Sequence, residues 1–177
     1  METINECARL YKTLLNKKYI FTVEHNISFV IEFKPNNFYH LIGLEKLTDL
    51  ATLQNKSASK IFKDLCNDKI SHSDIQKSNH YNKIENRIFN FQYLKNLLCF
   101  DESNKIIIDF DKSKLEFKTK LDNTKYILYK RTIPFIVHLT IGYKEYLYPE
   151  TYIVEKTNIY LSEQTMLDII DIKVTNR

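Results

Sequence analysis

The chain has 177 residues, of which 44% are hydrophobic and 13% aromatic, so it can bury a core and is too apolar to be disordered. The net charge of +4 permits a phosphate-rich partner without requiring one. The chain has two glycines, which excludes the glycine-rich phosphate loops of P-loop and Rossmann proteins. No apolar run reaches the roughly 18 residues of a transmembrane helix.

The first residues and the cysteines favour a protein of the reducing cytoplasm. Acidic residues precede the first apolar run, and no signal-peptide core follows them. The three cysteines (Cys7, Cys66 and Cys99) are odd in number and far apart, which argues against a disulfide framework and a cysteine-based zinc site. No His, Asp and Glu set has metal-ligand spacing such as HExxH. We therefore expect neither a metal nor another cofactor.

The N-terminal half predicts a helix, a hairpin and three further helices. Apolar spacing predicts a helix over residues 3–16, and we expect residues 1–16 to form an N-terminal helical arm on a single domain that spans residues 1–177. Residues 18–24 and 27–34 predict a hairpin with a turn between them. The three helices are expected from Asn36 or Asn37 to about Leu50, over about 57–67, and from near Ser78 to Leu98.

The C-terminal half predicts consecutive strands. Alternating β-branched and aromatic residues indicate strands at 105–110, 115–120, 126–130, 133–140 and 146–155, with a final strand within 161–175. Helices and strands are thus segregated along the chain. This order predicts an α+β fold in which helices pack on a mainly antiparallel sheet.

His40 is the first candidate for chemistry, because an imidazole titrates near neutral pH and can act as a general acid or base. We expect it at the start of a helix, where free N–H groups attract anions. Lys46 follows six residues later, about 1.7 turns, so it would reach His40 only from a flank or over the helix end. The alternative is that His40 is a packing residue beside Phe38 and Leu41.

Six further residues have both a structural and a functional interpretation. Tyr81 and Arg87 lie on the predicted long helix, where an arginine is usually solvated or ion-paired but can clamp a phosphate. Lys125 and Tyr129 share one face of a predicted strand. Alternation places His138 with Ile136 and Thr140, in a sheet cleft or on an exposed face, while Thr151 is a β-former or a site hydroxyl.

Positive charge is concentrated in one segment. Residues 105–131 contain eight Lys or Arg and four Asp or Glu, a surplus of four that equals that of the whole chain. The segment is either an ordinary solvated face or one wall of an anion-binding groove.

One run resembles a known family. The segment FTVEHNISFVIEFKPNNFYHLIGLEKLTDL resembles the N-terminal half of a phage-associated group of the Barnase–EndoU–colicin–RelE-like (BECR fold) nucleases, the fourth phage-borne group. Residues 81–98 resemble its long helix, and later segments resemble its last strands, so the likeness covers about 17–170. The most specific part is the His-Leu-x-Gly-Leu-x-Lys motif, formed here by His40, Leu41, Gly43, Leu44 and Lys46.

The resemblance implies a BECR/RelE-like fold and a metal-independent endoribonuclease, in which the ribose 2′-hydroxyl attacks the adjacent phosphate. Carried over by position, the catalytic residues would be His40 as general acid/base, Lys46 or Arg87 as the phosphate stabiliser, and Thr151 as a hydroxyl on a late strand. As substrate-binding residues we expect Tyr81, Lys125, Tyr129 and His138. Such a nuclease would be a toxin, a phage effector or a defence component, with RNA (tRNA or mRNA) as its partner and an inhibitor or antitoxin as a second partner.

Two other functions remain open at this point. The first is a non-catalytic protein that sequesters a nucleotide signal or inhibits a protein partner. The second is a structural module that oligomerises through its N-terminal amphipathic helix.

Overall fold

The computed structural model describes residues 3–176 as helices that cover one face of a sheet. The α-helices in this range are α1 (Ile4–Lys12), α2 (Asn37–Ile42), α3 (Ala58–Cys66), α4 (His72–Gln76), α5 (Asn82–Asn90) and α6 (Tyr93–Leu97). The strands are β1 (Lys17–Val23), β2 (Ile27–Glu32), β3 (Lys105–Ile108), β4 (Thr124–Thr132), β5 (Phe135–Tyr143), β6 (Leu147–Glu155) and β7 (Met166–Asn176). All neighbouring strands are antiparallel, so the α+β prediction is confirmed.

The sheet has the strand order β2-β1-β7-β3-β4-β5-β6, which places the last strand of the chain near its middle. The sheet is curled, so that the edge strands β2 and β6 contact each other. The ring of Phe29 on β2 also stacks on that of Tyr126 on β4, with the ring centroids 4.5 Å apart. This curl brings the start of α2 close to β6.

The predicted hairpin is confirmed. β1 and β2 pair from Lys18 with Glu32 to Val23 with Ile27. The turn residues His25 and Asn26 have φ angles of 61° and 57°, the left-handed conformation that short hairpin turns require.

The helix predicted from Asn36 or Asn37 to Leu50 is wrong in its length, because α2 ends at Ile42. Gly43 follows with φ of 88°, a left-handed conformation that ends helices and suits glycine. A 3-10 turn, Leu44–Lys46, then changes the direction of the chain. His40 therefore lies in the last turn of α2, and its expected position at a helix N-terminus is also wrong.

Two other predicted elements differ from the structure. The long helix predicted from Ser78 to Leu98 is divided into α5 and α6. The strand predicted at 115–120 is absent, although its side chains do alternate in exposure, because no neighbouring strand pairs with it. Alternation alone therefore did not make this segment a strand.

Apolar side chains are buried on both faces of the sheet. The main core lies between the sheet and the helices, and it includes the fully buried Ile4, Ala8 and Tyr11 of α1, which packs on α3. The apolar stripe of the N-terminal helix is thus covered by the same chain. A smaller group of buried residues, called here the second cluster, consists of Ile107, Phe110, Leu121, Ile127, Tyr129, Ile136 and Leu161.

Candidate active site

A cleft of about 750 Å³ opens between α2 with its 3-10 turn, α5 and β6. Its walls are mostly polar side chains, with one segment of the loop before β4 closing the far side. The residues that line it are Asn37, His40, Glu45, Lys46, Asn82, Lys83, Asn86, Arg87, Thr119, Lys120, Leu121, Lys144, Tyr148, Pro149, Glu150, Thr151, Ile153, Val154 and Tyr160.

The four residues predicted to be catalytic all line this cleft. His40 comes from α2, Lys46 from the 3-10 turn, Arg87 from α5 and Thr151 from β6. Lys46 can lie near His40 because the chain turns at Gly43. A continuous helix would have placed the two residues on different faces.

His40 is open to solvent. Its side chain is 61% exposed, and its Nδ1 atom is 3.8 Å from a carboxylate oxygen of Glu45. The ring also meets the Tyr39 ring edge to face, with centroids 5.4 Å apart. An imidazole held loosely in this way can exchange protons with a molecule that enters the cleft.

Arg87 is held by oxygen atoms that carry no full charge. Its Nη1 atom donates to the Leu41 carbonyl at 3.2 Å and to Thr151 Oγ1 at 3.0 Å, with a longer contact of 3.4 Å to the His40 carbonyl. Within residues 3–176 no carboxylate lies within 4.0 Å of the guanidinium. Its positive charge is therefore fixed in position and available to an anion.

Gly43 allows this close packing. A Cβ atom there would lie 3.2 Å from Arg87 Nη1 and 3.0 Å from Ile84 Cγ2, both tighter than ordinary contacts. The same glycine thus ends α2 and gives Arg87 access to the carbonyl of Leu41.

Lys46 shares the cleft with other cations. Burial lowers the pKa of its ammonium, and the nearby positive charges of Arg87 and Lys83 lower it further, whereas Glu45 opposes them. The cleft is lined by five Lys or Arg side chains against two Glu. A protein that concentrates like charges in this way is suited to bind an anion there.

Glu150 is a cleft residue that sequence reasoning missed. Thr140 pairs with Thr151 and Ile141 with Pro149, so Glu150 is the extra residue of a β-bulge in β6. A bulge redirects side chains, and it lets Glu150 and Thr151 line the same cleft. Burial raises the pKa of the Glu150 carboxyl, Asp122 adds to this, and a hydrogen bond from Thr124 Oγ1 opposes it.

Hydrogen bonds hold the bulge and α5 in place. The Thr140 hydroxyl accepts from the Thr151 backbone N–H at 3.0 Å. The Tyr152 hydroxyl, on the next residue of β6, donates to the Asn90 carbonyl on α5 at 2.7 Å. These bonds fix the distance between Thr151 and Arg87.

The four residues predicted to bind substrate lie outside the cleft. The Tyr81 hydroxyl is 3.4 Å from His72 Nε2, and Lys125 is 3.9 Å from an Asp109 oxygen. Tyr129 belongs to the second cluster, where its hydroxyl contacts the Met166 sulfur at 3.0 Å. His138 is fully buried, with Nε2 2.8 Å from a Glu155 oxygen.

The basic segment 105–131 also contributes little to the cleft. Lys120 alone among its Lys and Arg residues lines it. Other lysines of the segment form ion pairs with nearby carboxylates, namely Lys105 with Asp168, Lys112 with Asp122, Lys125 with Asp109 and Lys130 with Asp101. The cations of the cleft come mainly from α5, the 3-10 turn and the turn after β5.

The described residues contain neither a grouped set of metal ligands nor a membrane-spanning helix. Among residues 3–176, no three His, Cys, Asp or Glu side chains are grouped as ligands for a metal ion. No helix in the same range has the length and apolar character needed to cross a membrane.

A cationic cleft that contains a histidine is suited to a nuclease, whose substrate is a polyanion. A family model described as phage-Barnase-EndoU-ColicinE5/D-RelE like nuclease 4 matches residues 3–176. The chain therefore belongs to this phage-associated family of nucleases, and the resemblance noted in the sequence is confirmed. No curated protein and no solved structure matches the chain.

Proposed function

We propose that this protein is a metal-independent endoribonuclease whose active site is the cleft around His40. The proposal rests on one observation. The cleft is lined both by the exposed imidazole of His40 and by the guanidinium of Arg87, which has no acidic partner within 4.0 Å among residues 3–176. Proton transfer and stabilisation of a charged phosphoryl group are the two functions that RNA cleavage by the 2′-hydroxyl requires.

In the proposed reaction the ribose 2′-oxygen forms a bond to phosphorus while the bond from phosphorus to the 5′-oxygen breaks. The 2′-hydroxyl gives up its proton to a base, and the departing 5′-oxygen receives a proton from an acid. The products are a 2′,3′-cyclic phosphate and a 5′-hydroxyl. We assign one of these transfers to His40, and Glu150, whose pKa is raised by burial, is the candidate for the other.

Arg87 and Lys46 stabilise the negative charge that builds on the phosphoryl oxygens. Arg87 is fixed through its Nη1 atom, so its other N–H groups can be aimed at the phosphate without reorganisation during the reaction. Thr151 acts through Arg87, because its hydroxyl accepts one of the bonds that hold the guanidinium. Lys83, Lys120 and Lys144 supply charge at the rim for neighbouring phosphates.

The test is an incubation of the purified protein with total bacterial RNA and with tRNA in the presence of EDTA. Wild type is compared with His40→Asn, which removes the imidazole from an exposed position. We expect fragments that end in cyclic phosphates, and a loss of about 10²–10⁴-fold in rate for the variant. His25→Asn is the matched control, because His25 is exposed, does not line the cleft and has a positive φ that asparagine tolerates.

Each contrary result removes a different part of the proposal. Equal rates for wild type and His40→Asn would remove His40 from the chemistry. Activity that appears only with added divalent cations would remove metal independence, and equal cleavage of DNA would remove the 2′-hydroxyl mechanism. Tight binding without turnover by wild type would favour a protein that sequesters nucleotides.

A further inference from the structure

A second groove lies beside the cleft, on the other side of His40. It has a volume of about 710 Å³ and runs between the edge strand β2 and the turn that joins β5 to β6. Its lining residues are Val30, Glu32, Lys34, Asn36, Asn37, His40, Lys144, Glu145, Tyr146, Leu147 and Tyr148. Asn37, His40, Lys144 and Tyr148 line both spaces, so a single bound strand can pass from one to the other.

The two spaces differ in charge and in the exposure of their tyrosines. The cleft has a clear excess of cations, whereas in the groove Lys34 and Lys144 are balanced by Glu32 and Glu145. Each space is lined by two tyrosines, and Tyr148 is shared. Tyr160 of the cleft packs on the second cluster, whereas Tyr146 of the groove is exposed, with its ring centroid 6.4 Å from that of Tyr148 and the planes at 71°. The cleft is therefore suited to phosphates, and the groove to an uncharged aromatic group such as a nucleobase.

The ring of Tyr146 is not covered by the core. It is 56% exposed, although it is a large aromatic side chain. The Lys34 ammonium lies over its ring, 4.4 Å from the centroid. An exposed ring with a lysine over one of its faces can offer its other face to an unpaired base, and the lysine supplies a charge for the phosphate of that base.

The chain's second glycine supports the other wall of the groove. Gly142 pairs with Tyr148, and a Cβ atom at Gly142 would lie 2.6 Å from Cζ of the Tyr148 ring. Only a glycine lets this ring lie flat across β5. The ring is thereby held at the boundary between the cleft and the groove.

We propose that the groove binds one unpaired base of the strand whose phosphate occupies the cleft, with Tyr146 as the stacking surface. The inference rests on the proposed nuclease function and adds a preference for single-stranded substrate. A base in a duplex is stacked on its neighbours and cannot stack on Tyr146 without leaving the helix.

The probe is a fluorescent single-stranded oligoribonucleotide with 2′-O-methyl groups throughout, which lacks the hydroxyl needed for cleavage. Its affinity is measured by anisotropy for wild type, Tyr146→Ala and Tyr146→Phe. We expect affinity about 10-fold lower for Tyr146→Ala and within about 2-fold of wild type for Tyr146→Phe, which retains the ring. Tyr143→Ala is the matched control, because Tyr143 is 51% exposed with Lys125 over its ring but lines neither space.

Single abasic substitutions along the oligonucleotide then locate the stacked base. At one position, removal of the base should weaken binding to wild type and leave binding to Tyr146→Ala unchanged. If wild type cleaves RNA but Tyr146→Ala binds and cleaves as well as wild type, the inference is overturned and the proposed function stands. If binding depends on Tyr146 but no RNA is cleaved, the groove assignment stands and the chemistry fails.

Discussion

The protein contains two histidines that each lie next to a glutamate, one in the cleft and one beside the second cluster, and the two pairs differ in exposure and in distance. On the cleft side, His40 is 61% exposed and 3.8 Å from Glu45. On the side of the second cluster, the His138 side chain is fully buried and 2.8 Å from Glu155, whose side chain is 9% exposed. Solvent access and the tightness of the pairing, not residue type, separate a candidate catalytic group from a structural one.

Tyr160 forms part of the boundary between the two regions. It lines the cleft and packs on the second cluster, and its ring centroid is 5.8 Å from that of His138. Burial raises the pKa of its hydroxyl, and Glu155 adds to this. The close N–O approach of His138 and Glu155 is not aligned as a hydrogen bond.

Variants in the cleft and beside the second cluster test the difference between these two regions. The largest effect is expected for Arg87→Lys, on the rate of RNA cleavage. Arg87→Lys keeps the charge but loses the planar group that reaches Leu41 and Thr151 together. We expect kcat for RNA cleavage to fall by about 10²–10³-fold, with a smaller change in KM, because the guanidinium acts mainly on charge that develops during the reaction. Single-turnover rates and thermal unfolding are measured on the same samples.

Arg131→Lys is the control for this substitution. Arg131 is exposed, its Nη1 atom donates to Asn158 Oδ1 at 2.8 Å, and it does not line the cleft. It should cleave like wild type. If kcat for RNA cleavage fell equally and modestly in Arg87→Lys and Arg131→Lys, the planar guanidinium of Arg87 would have no special role.

The second-largest effect is expected on the free energy of unfolding, for variants of His138 and Glu155. Removal of either partner leaves the other buried alone, so His138→Leu and Glu155→Met should each reduce the free energy of unfolding by about 3–5 kcal/mol. For a chain of this size that lowers Tm by roughly 6–20 °C. The double variant should recover most of the loss, because it replaces both polar groups by apolar ones.

Denaturant unfolding of the two single variants and the double variant gives the coupling between the residues. Additive losses would show that the pair does not act as a unit. Cleavage by folded samples of each variant should remain close to that of wild type, in contrast to Arg87→Lys.

The smallest effect is expected at Lys46 and depends on pH. Because its pKa is lowered in the fold, the unfolded chain holds the Lys46 proton more tightly, and the charge opposes folding at pH 7. Lys46→Met should therefore raise the free energy of unfolding by at most about 1 kcal/mol while weakening RNA binding. The gain should shrink as the pH rises through the ordinary pKa of lysine, where the unfolded chain also loses the proton.

Urea unfolding at pH 7 and near pH 10.5 measures this difference. Lys63→Met, at an exposed position of α3, is the control and should change stability little at either pH. Lower stability of Lys46→Met at pH 7 would show that Lys46 has a favourable partner and does not belong to a repulsive cluster.

The sequence predicted those turns and helix ends that depend on the preferences of a few neighbouring residues. The turn at His25 and Asn26 and the start of α3 after Ser57, whose side chain caps the helix, both follow from short-range preferences. The sequence also contained a signal for the end of α2, namely Gly43, because glycine commonly ends helices.

The candidate site was predicted only in part, because its geometry depends on contacts between distant segments. His40 and Arg87 were singled out by residue type and by the family resemblance, but Glu150 was missed because its orientation depends on a bulge set by the register of β5 and β6. Alternation placed His138 and Tyr129 on a common face of neighbouring strands. It could not show that the second cluster buries these two side chains and leaves them outside the cleft.

The position of β7 has a consequence for the assembly of the sheet. This last strand lies between β1 and β3, and within residues 3–176 it alone joins the β1–β2 hairpin to the block β3–β6 by backbone hydrogen bonds. The hairpin and the block therefore become one sheet only when β7 has paired with both β1 and β3. The groove between β2 and β6 depends on this strand as well, because β7 sets where the hairpin lies relative to the block that contains β6.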